Sequence, residues 1–229
     1  MPSDDALDAL VIGAGQAGLA TAYHLRRHGA RFVVVDAAPE IGHAWRSRWT
    51  SLRLFSPAQY DNLPGMAFPA PADTYPTKDQ AADYLVAYAQ RFELPVLLGC
   101  RVHRLERADD GFAVHTSQGL LRARRVIVAT GPFQQPAVPA LAGRLPEPVR
   151  QLHSAEYRSP ADIPGGNVVV VGAGNSGRQI AVELAATHQV TLAVGTEALE
   201  LPQRILGHDL FWWLTHLGAI TKTQDSFIA

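Results

Sequence analysis

The chain has 229 residues, 47% of them hydrophobic and 18% charged, with a formal net charge of −1 and a pI near 6.8. It is long enough for one large domain or two small ones, and its charge balance gives no electrostatic case for nucleic acid or an anionic membrane as partner. The single cysteine, Cys100, excludes an internal disulfide framework, a Cys-x-x-Cys redox pair and a cysteine-based zinc cluster.

The N-terminus carries Asp4, Asp5 and Asp8 and runs straight into an apolar stretch, without the basic start and long apolar region of a secretory signal. No apolar run approaches the ~20 residues of a membrane span. A soluble, cytoplasmic protein is expected. Residues 8–12 read as a buried strand, followed by Gly13-Ala14-Gly15-Gln16-Ala17-Gly18 and a helix over 16–28 with Leu19, Ala20, Tyr23 and Leu25 on its apolar face. Gly29 ends that helix. Arg31 to Val35 reads as the next strand, with Asp36 at its tip.

Residues 39–76 show no clear period and carry aromatics and many prolines, so long loops with short helical turns are expected there. Thr77 to Phe92 reads as a helix with Ala82, Leu85, Val86 and Ala89 inward. A short strand at 96–98 follows, then a meander over 102–107, 112–116 and 120–122 with turns at Asp109-Asp110-Gly111 and Gln118-Gly119. Residues 125–129 form another buried strand, stopped by Thr130-Gly131-Pro132. Pro132 to Pro148 is a proline-rich crossing segment.

A second βαβ pattern then opens. A strand at 167–171 leads into Gly172-Ala173-Gly174-Asn175-Ser176-Gly177, a helix over 175–187 and a strand over 189–194. A last helix is expected from Asp209 to Leu217, with Phe211, Trp212 and Trp213 adjacent. No closing strand is visible in Lys222 to Ala229, so about half of a doubly wound domain stands here. The fold class that follows is α/β, with two Rossmann-like dinucleotide-binding domains on parallel sheets, the second incomplete. Residues 1–148 form the first with its small meander, and 149–229 part of the second.

The doubled glycine motif, 159 residues apart, is the only internal repeat. A G-x-G-x-x-G between a strand and a helix is a dinucleotide fingerprint. Its first glycine permits a tight turn, its second lets pyrophosphate approach the backbone, and its third lets helix and strand pack closely. The phosphates then meet the helix N-terminus, whose free N–H groups favour anions. Gly13, Gly15, Gln16, Ala17 and Gly18 are therefore expected at one nucleotide, and Gly172, Gly174, Asn175, Ser176 and Gly177 at another. Asp36, 18 residues after Gly18, can accept both ribose hydroxyls of an adenosine and would repel a 2′-phosphate. The first site should thus hold FAD or NAD. In the second copy the strand tip reads Val194-Gly195-Thr196-Glu197, with no acid directly at the tip. That suits NADP better than NAD, with Arg178 or Arg204 able to meet the 2′-phosphate. Two different dinucleotides in one chain most often mean a flavin reduced by a nicotinamide. Cys100 has no context for a reactive thiol and reads as a small apolar filler.

Gly13–Gly18, Gly42-His43-Ala44-Trp45, Ala129-Thr130-Gly131, His153-Ser154-Ala155-Glu156-Tyr157 and Gly172–Gly177 occur in an order that resembles the class B flavin-dependent monooxygenases. That group includes the flavin-containing and plant indole-pyruvate monooxygenases. The chain is also similar to bacterial flavoproteins named for potassium or metal transport. The resemblance covers essentially all of this chain and the front two-thirds of a usual member. It implies that Gly42 and Trp45 wrap FAD, that Ser51 to Pro57 runs past the flavin, and that Asn62 helps hold the oxygenated flavin. It also sets Ala129, Thr130 and Gly131 in a turn close to the cofactor. His153 and Tyr157 match the end of the motif Phe-x-Gly-x-x-x-His-x-x-x-(Tyr/Phe), which would couple nicotinamide binding to flavin geometry. Here Gly143 lies ten residues before His153, and Leu141 stands for the aromatic, an insertion that resembles the plant-like branch.

The function so implied is an NADPH-dependent monooxygenase, acting on a small organic substrate and oxygen. Reduced FAD and oxygen would form a C4a-(hydro)peroxide that transfers one oxygen atom. Two further readings stay open: an NAD(P)H-dependent flavoprotein reductase, and a truncated FAD-binding protein without turnover. Apolar surface at Phe211–Leu217 is expected to be exposed, and with it self-association into a homo-oligomer.

Overall fold

The structure is a computed structural model and describes residues 6–195 and 202–219. Expectations resting on Asp4, Asp5, Thr196, Glu197 and Lys222 to Ala229 lie outside the described residues. The chain divides into two compact units, Met1–Thr50 with Leu63–Met66 and Lys78–Tyr157, and Ser51–Asn62 with Ala67–Thr77 and Arg158–Ala229.

The first unit is built on a four-stranded parallel sheet. Its strands are β1 (Ala9–Ile12), β2 (Phe32–Val35), β3 (Val96–Leu97) and β7 (Val126–Val128), in the order β3-β2-β1-β7. β1 is central, pairing Ala9 with Phe32 on one side and Leu10 with Val126 on the other. Short runs of branched apolar residues make such strands because parallel sheets are covered on both faces. Side chains alternate between those faces. Leu10 and Val35 join Cys100, Val114 and Ala123 in a core cluster with the antiparallel meander β4 (Val102–Ala108), β5 (Gly111–Thr116) and β6 (Gly119–Ala123). Helix α1 (Gln16–Arg27) packs on β1 and β2 and touches α3 (Lys78–Arg91). Cys100 is buried, as expected of a filler.

Between α1 and α3 the contact is aromatic. Tyr23 and Tyr88 each meet Phe92 edge-on at 4.7 and 4.9 Å between centroids. The same helix pins a loop: Tyr88 donates to the Pro64 carbonyl at 2.7 Å, and Tyr84 donates to the Met66 carbonyl while accepting from the Leu63 amide. Burial pushes the Tyr88 phenol well above its ordinary range, so it stays a donor at any ordinary pH. Gly42, in left-handed backbone with φ +82°, starts the short helix α2 (His43–Arg46), and a Cβ there would strike Ala82 of α3.

The second unit holds β8 (Asn167–Val171) and β9 (Gln189–Ala193), parallel and in register from Asn167↔Gln189 to Val171↔Ala193. Helix α4 (Asn175–Leu184) packs on them through Ile180, Ala181 and Leu184. It stops three residues short of the expected Thr187 because the chain closes on Leu184, whose carbonyl accepts from both Thr187 and His188 amides. Among the described residues β9 is the one partner of β8, and Val169 and Val171 stand 61% and 76% exposed. The tail adds a two-residue hairpin, β10 (Arg204–Ile205) and β11 (His208–Asp209), unseen in the sequence, and the helix α5 (Leu210–His216). Leu217, just past α5, is 70% exposed, whereas Phe211, Trp212, Trp213 and Leu214, also expected to be exposed, are half-buried.

Two parts of the long irregular stretch, 51–62 and 67–77, fold as a strap in this unit. Leu54 and Ala58 amides donate to Pro76 and Thr74 carbonyls, so an outgoing arm and a returning arm run side by side. Ser56 donates to Asp61 Oδ1, while Asp61 Oδ2 is buried with no hydrogen-bond partner. Burial raises the Asp61 carboxyl above its usual range, and the Ser56 hydroxyl opposes this.

A carboxyl raised in the folded state contributes stability below its unfolded value and loses it as pH rises through the folded one. Ionised Asp61 is therefore a cost at neutral pH. Asp61→Asn is expected to raise the melting temperature at pH 7, by about 2–4 °C for each kcal/mol recovered in a chain of this size. The gain should shrink as the pH is lowered through the carboxylate range. Thermal melts of both proteins at pH 7 and pH 4 check this; a lower melting temperature for the variant at pH 7 refutes it.

Candidate dinucleotide-binding turns

Each glycine motif folds into the same device. Gly13 (φ +110°) leaves β1 and Gly172 (φ +100°) leaves β8. Their amides are caught by the last residue of the neighbouring strand, Val35 at 2.8 Å and Ala193 at 2.9 Å. A Cβ on Gly18 would sit against the Gly13 carbonyl oxygen, and one on Gly177 against that of Gly172. Only hydrogen permits the helix to cross its strand this closely. Gly15 and Gly174 differ in kind. Each is the N-cap of its helix, in extended backbone, and a Cβ on either would meet nothing within 4 Å. The open space lies at the residues the fingerprint reserves for a pyrophosphate.

At both sites the first helical residues are exposed: Gln16 and Ala17 on α1, Asn175 and Ser176 on α4. The first amides of a helix lack intrahelical acceptors. No acidic residue occupies the first turn of α1 or α4 to compete for them. Both turns thus present N–H groups and the positive end of a helix dipole to an anion.

The two turns are braced by opposite charges. At the first, Asp36 Oδ2 accepts from the Ala14 amide at 2.7 Å, and Oδ1 from the Ala38 amide at 2.8 Å. The strand-tip carboxylate is thereby locked to the glycine turn. At the second, Val194 follows β9 as Asp36 follows β2, and it is 48% exposed. The bracing comes from the helix instead: Arg178 Nε donates to the Ala173 carbonyl at 2.7 Å. The acid difference was legible in the sequence; the arginine brace was not, because nothing in a helix pattern shows that its side chain turns back on the loop. Arg204, the other candidate, stands in β10 opposite Asp209.

Around the first turn, the end of β7 closes in. A Cβ on Gly13 would strike the Ala129 carbonyl, and the Ala129 amide donates to Ile12. Thr130 and Gly131 (φ +74°) follow, exposed. Trp45, in α2, is half-buried. Trp49, one helical turn later, is 3% exposed and its Nε1 donor is buried with no partner. Its spacing of four residues from Trp45 places it on the same side as that ring, but nothing in the sequence shows that its indole donor is left unpaired.

His153 and Tyr157 lie in one turn of the first unit. The Tyr157 and Glu156 amides donate to the His153 carbonyl, and His153 Nδ1 accepts from the Ala155 amide at 3.1 Å. Tyr157 is buried. Asn62, in the strap of the second unit, donates through Nδ2 to the Gln59 carbonyl and accepts at Oδ1 from the Phe68 amide, both at 2.7 Å. Its residue is exposed.

No helix among the described residues is long and apolar enough to cross a membrane. Among them, too, no group of His, Cys, Asp and Glu could hold a metal.

The pyridine nucleotide-disulphide oxidoreductase family matches residues 10–205. The chain is 47% identical over 220 residues to the uncharacterized oxidoreductase CzcO-like of Geobacillus kaustophilus, covering 96% of this chain and 63% of that protein. It is 34% identical over 211 residues to the probable indole-3-pyruvate monooxygenase YUCCA9 of Arabidopsis thaliana, covering 88% of this chain and 50% of that one. Among solved structures it superposes on the flavin-containing monooxygenase from Stenotrophomonas maltophilia with a TM-score of 0.83 at 36% identity, over 92% of this chain and 63% of that one. The chain thus spans under two thirds of the length of these relatives. The family's name mentions a disulphide, yet this chain carries one cysteine, and that one is buried. Family match, shared fold and doubled turn agree: the chain belongs to the pyridine nucleotide-disulphide oxidoreductase family and resembles its flavin-monooxygenase-like members.

Proposed function

We propose that this chain is the two-nucleotide part of an NADPH-dependent flavoprotein monooxygenase, holding FAD at the first glycine turn and NADP at the second. One observation carries the reading: two turns of the same backbone, each with open space at its middle glycine, are braced by opposite charges. Residues 1–148 supply the FAD-binding part and 149–229 the nicotinamide part. When bound, FAD supplies the redox and oxygen chemistry, taking two electrons from the nicotinamide and giving one oxygen atom of O2 to a small organic substrate while the other leaves as water.

The residues do the rest. Gly13, Gly15, Gln16, Ala17 and Gly18 receive the FAD pyrophosphate on backbone amides. Asp36, already held in place by Ala14, keeps acceptor capacity for adenosine ribose hydroxyls. Gly42 and Trp45, and Ala129, Thr130 and Gly131, border the cofactor. At the second turn Gly172, Gly174, Asn175, Ser176 and Gly177 receive the other pyrophosphate. Arg178 adds a positive charge there, and Val194 removes the acid that would repel a 2′-phosphate. Asn62 uses one of its two Nδ2 hydrogens on Gln59, which leaves the second for the oxygen-transfer step. His153 and Tyr157 support nicotinamide binding. The similarity to an indole-3-pyruvate monooxygenase makes a small carbonyl or carboxylate compound the first substrate class to try. A reductase of a small carrier would use the same two cofactors, and product formation matched to oxygen uptake separates the two activities.

Three measurements test this. Purified chain should release FAD and no FMN, and Gly15→Val should abolish flavin retention by filling the open space; undiminished flavin in that variant defeats the first-site assignment. Val194→Asp should lower kcat/KM for NADPH relative to NADH by ~10-fold, since a carboxylate there faces the 2′-phosphate. An unchanged ratio would count against NADP at the second turn. Asn62→Asp keeps an acceptor for the Phe68 amide but removes both donors. It should leave NADPH oxidation running while oxygenated product falls and peroxide rises; product yield equal to wild type excludes Asn62 from the oxygen-transfer step.

A further inference from the structure

Asp209 is 3% exposed, and both of its carboxylate oxygens are engaged. Oδ1 accepts from the Phe211 amide at 2.8 Å and so caps α5. That one bond suffices for an N-cap. Oδ2 is turned to other work: it accepts from the Tyr75 hydroxyl at 2.5 Å and from Gln203 Nε2 at 2.7 Å. Tyr75 belongs to the returning arm of the strap, 134 residues away in sequence. Gln203 Nε2 also donates to the Phe55 carbonyl of the outgoing arm at 3.1 Å. The ring of Phe211 meets Tyr60 and Phe55 of that same arm, each at 5.9 Å between centroids. The tail therefore grips both arms, and every grip leads to Asp209 or its neighbours.

Within the strap, the contacts continue to Asn62. Arg53 Nη1 on the outgoing arm donates to the Tyr75 carbonyl at 3.0 Å. Two residues before Tyr75, the Asp73 amide donates to Gln59 Oε1, and Gln59 Nε2 donates back to Asp73 Oδ1, both at 2.8 Å. The carbonyl of the Gln59 so held is what receives Asn62 Nδ2, and Asn62 Oδ1 in turn receives the Phe68 amide. The carboxylate of Asp209 is held below its ordinary range by the donors Gln203, Tyr75 and the Phe211 amide and by nearby Arg204, against the opposing effect of burial. It is thus ionised when it accepts these bonds, and bonds to a charged acceptor are the stronger kind.

We propose that Asp209 is a positioning residue for Asn62: through Tyr75 and the Gln59–Asp73 pair, the tail fixes the strap loop in which Asn62 sits. The link to catalysis rests on the role proposed above for Asn62; the link between Asp209 and the loop does not.

The test compares two variants of the full chain. Tyr75→Phe removes the strap bond and leaves the helix cap untouched. Asp209→Ser keeps a cap oxygen and loses Oδ2. The readout is amide hydrogen exchange at Phe68, whose acceptor is Asn62 itself, with α5 amides as the internal control. Loss of a bond to a charged group predicts roughly 10-fold faster exchange at Phe68 in Tyr75→Phe, with α5 protection retained. Asp209→Ser should match it at Phe68. Unchanged Phe68 exchange in both variants overturns the positioning role. The second readout is peroxide released per NADPH oxidised, which should rise several-fold in Tyr75→Phe at unchanged KM for NADPH, and should not rise further when Asn62→Asp is added. Faster Phe68 exchange with an unchanged peroxide share overturns the link to catalysis and leaves the mechanical clamp standing. A full chain that oxidises no NADPH even with FAD bound counts against the functional reading alone, and Phe68 exchange then decides the clamp.

Discussion

In each unit a helix presses against the carbonyl of the turn that leads into it. At Gly18 and again at Gly177 the helix backbone lies so near a carbonyl of the turn that any side chain would overlap it. The rest of each site depends on this contact. It aims the N-terminus of α1 at the space above Gly15, and that of α4 at the space above Gly174. It also brings the turn within reach of the neighbouring strand, where Val35 and Ala193 catch the first glycine's amide. A dipole and a set of free amides become a binding site only when something holds them at one place. Here the absence of a Cβ does so.

The same backbone is then tuned in two directions by side chains outside the motif. Asp36 holds its turn by accepting an amide hydrogen, and Arg178 holds the other by donating to a carbonyl. Both braces are single hydrogen bonds near 2.7 Å, equivalent as mechanics. As electrostatics they are opposite, and in the function proposed above this difference would separate a site suited to bare ribose hydroxyls from one tolerant of an added phosphate. A duplicated motif can thus serve two ligands without any change in its own six residues' geometry.

Much of this was legible in the sequence, for a definite reason. Leu10-Val11-Ile12 and Val168 to Val171 are apolar runs that read as parallel strands, the first buried and the second exposed on one face, and the glycines after them fix the turn. Asp36 and the acid-free Val194 could be read because a strand tip lies at a known distance from its motif. What could not be read depends on contacts without a local pattern. Tyr84 and Tyr88 look like ordinary apolar positions of α3, yet their hydroxyls anchor residues 63–66. The hairpin at Arg204–Asp209 has strands of two residues, too short to show alternation. Asp209 stands at the start of the expected last helix and caps it; its second oxygen answers to Tyr75, across 134 residues of chain. Trp49 carries no sequence mark of its unpaired indole donor.

The burial of Cys100 gives the molecule a built-in clock. Its thiol is 1% exposed, in the cluster that joins the parallel sheet to the meander through Leu10, Val35, Val114 and Ala123. No other sulfhydryl exists in the chain to confuse the signal. A thiol reagent can reach it only when that cluster opens, so the rate of modification follows the opening equilibrium of the first unit wherever reclosing outruns the reagent. Nucleotide that binds only the closed form slows this rate in proportion to its occupancy. One buried sulfur would thereby convert the affinity of any ligand held by the closed first unit into a chemical half-life, with no need for the ligand to be coloured or consumed.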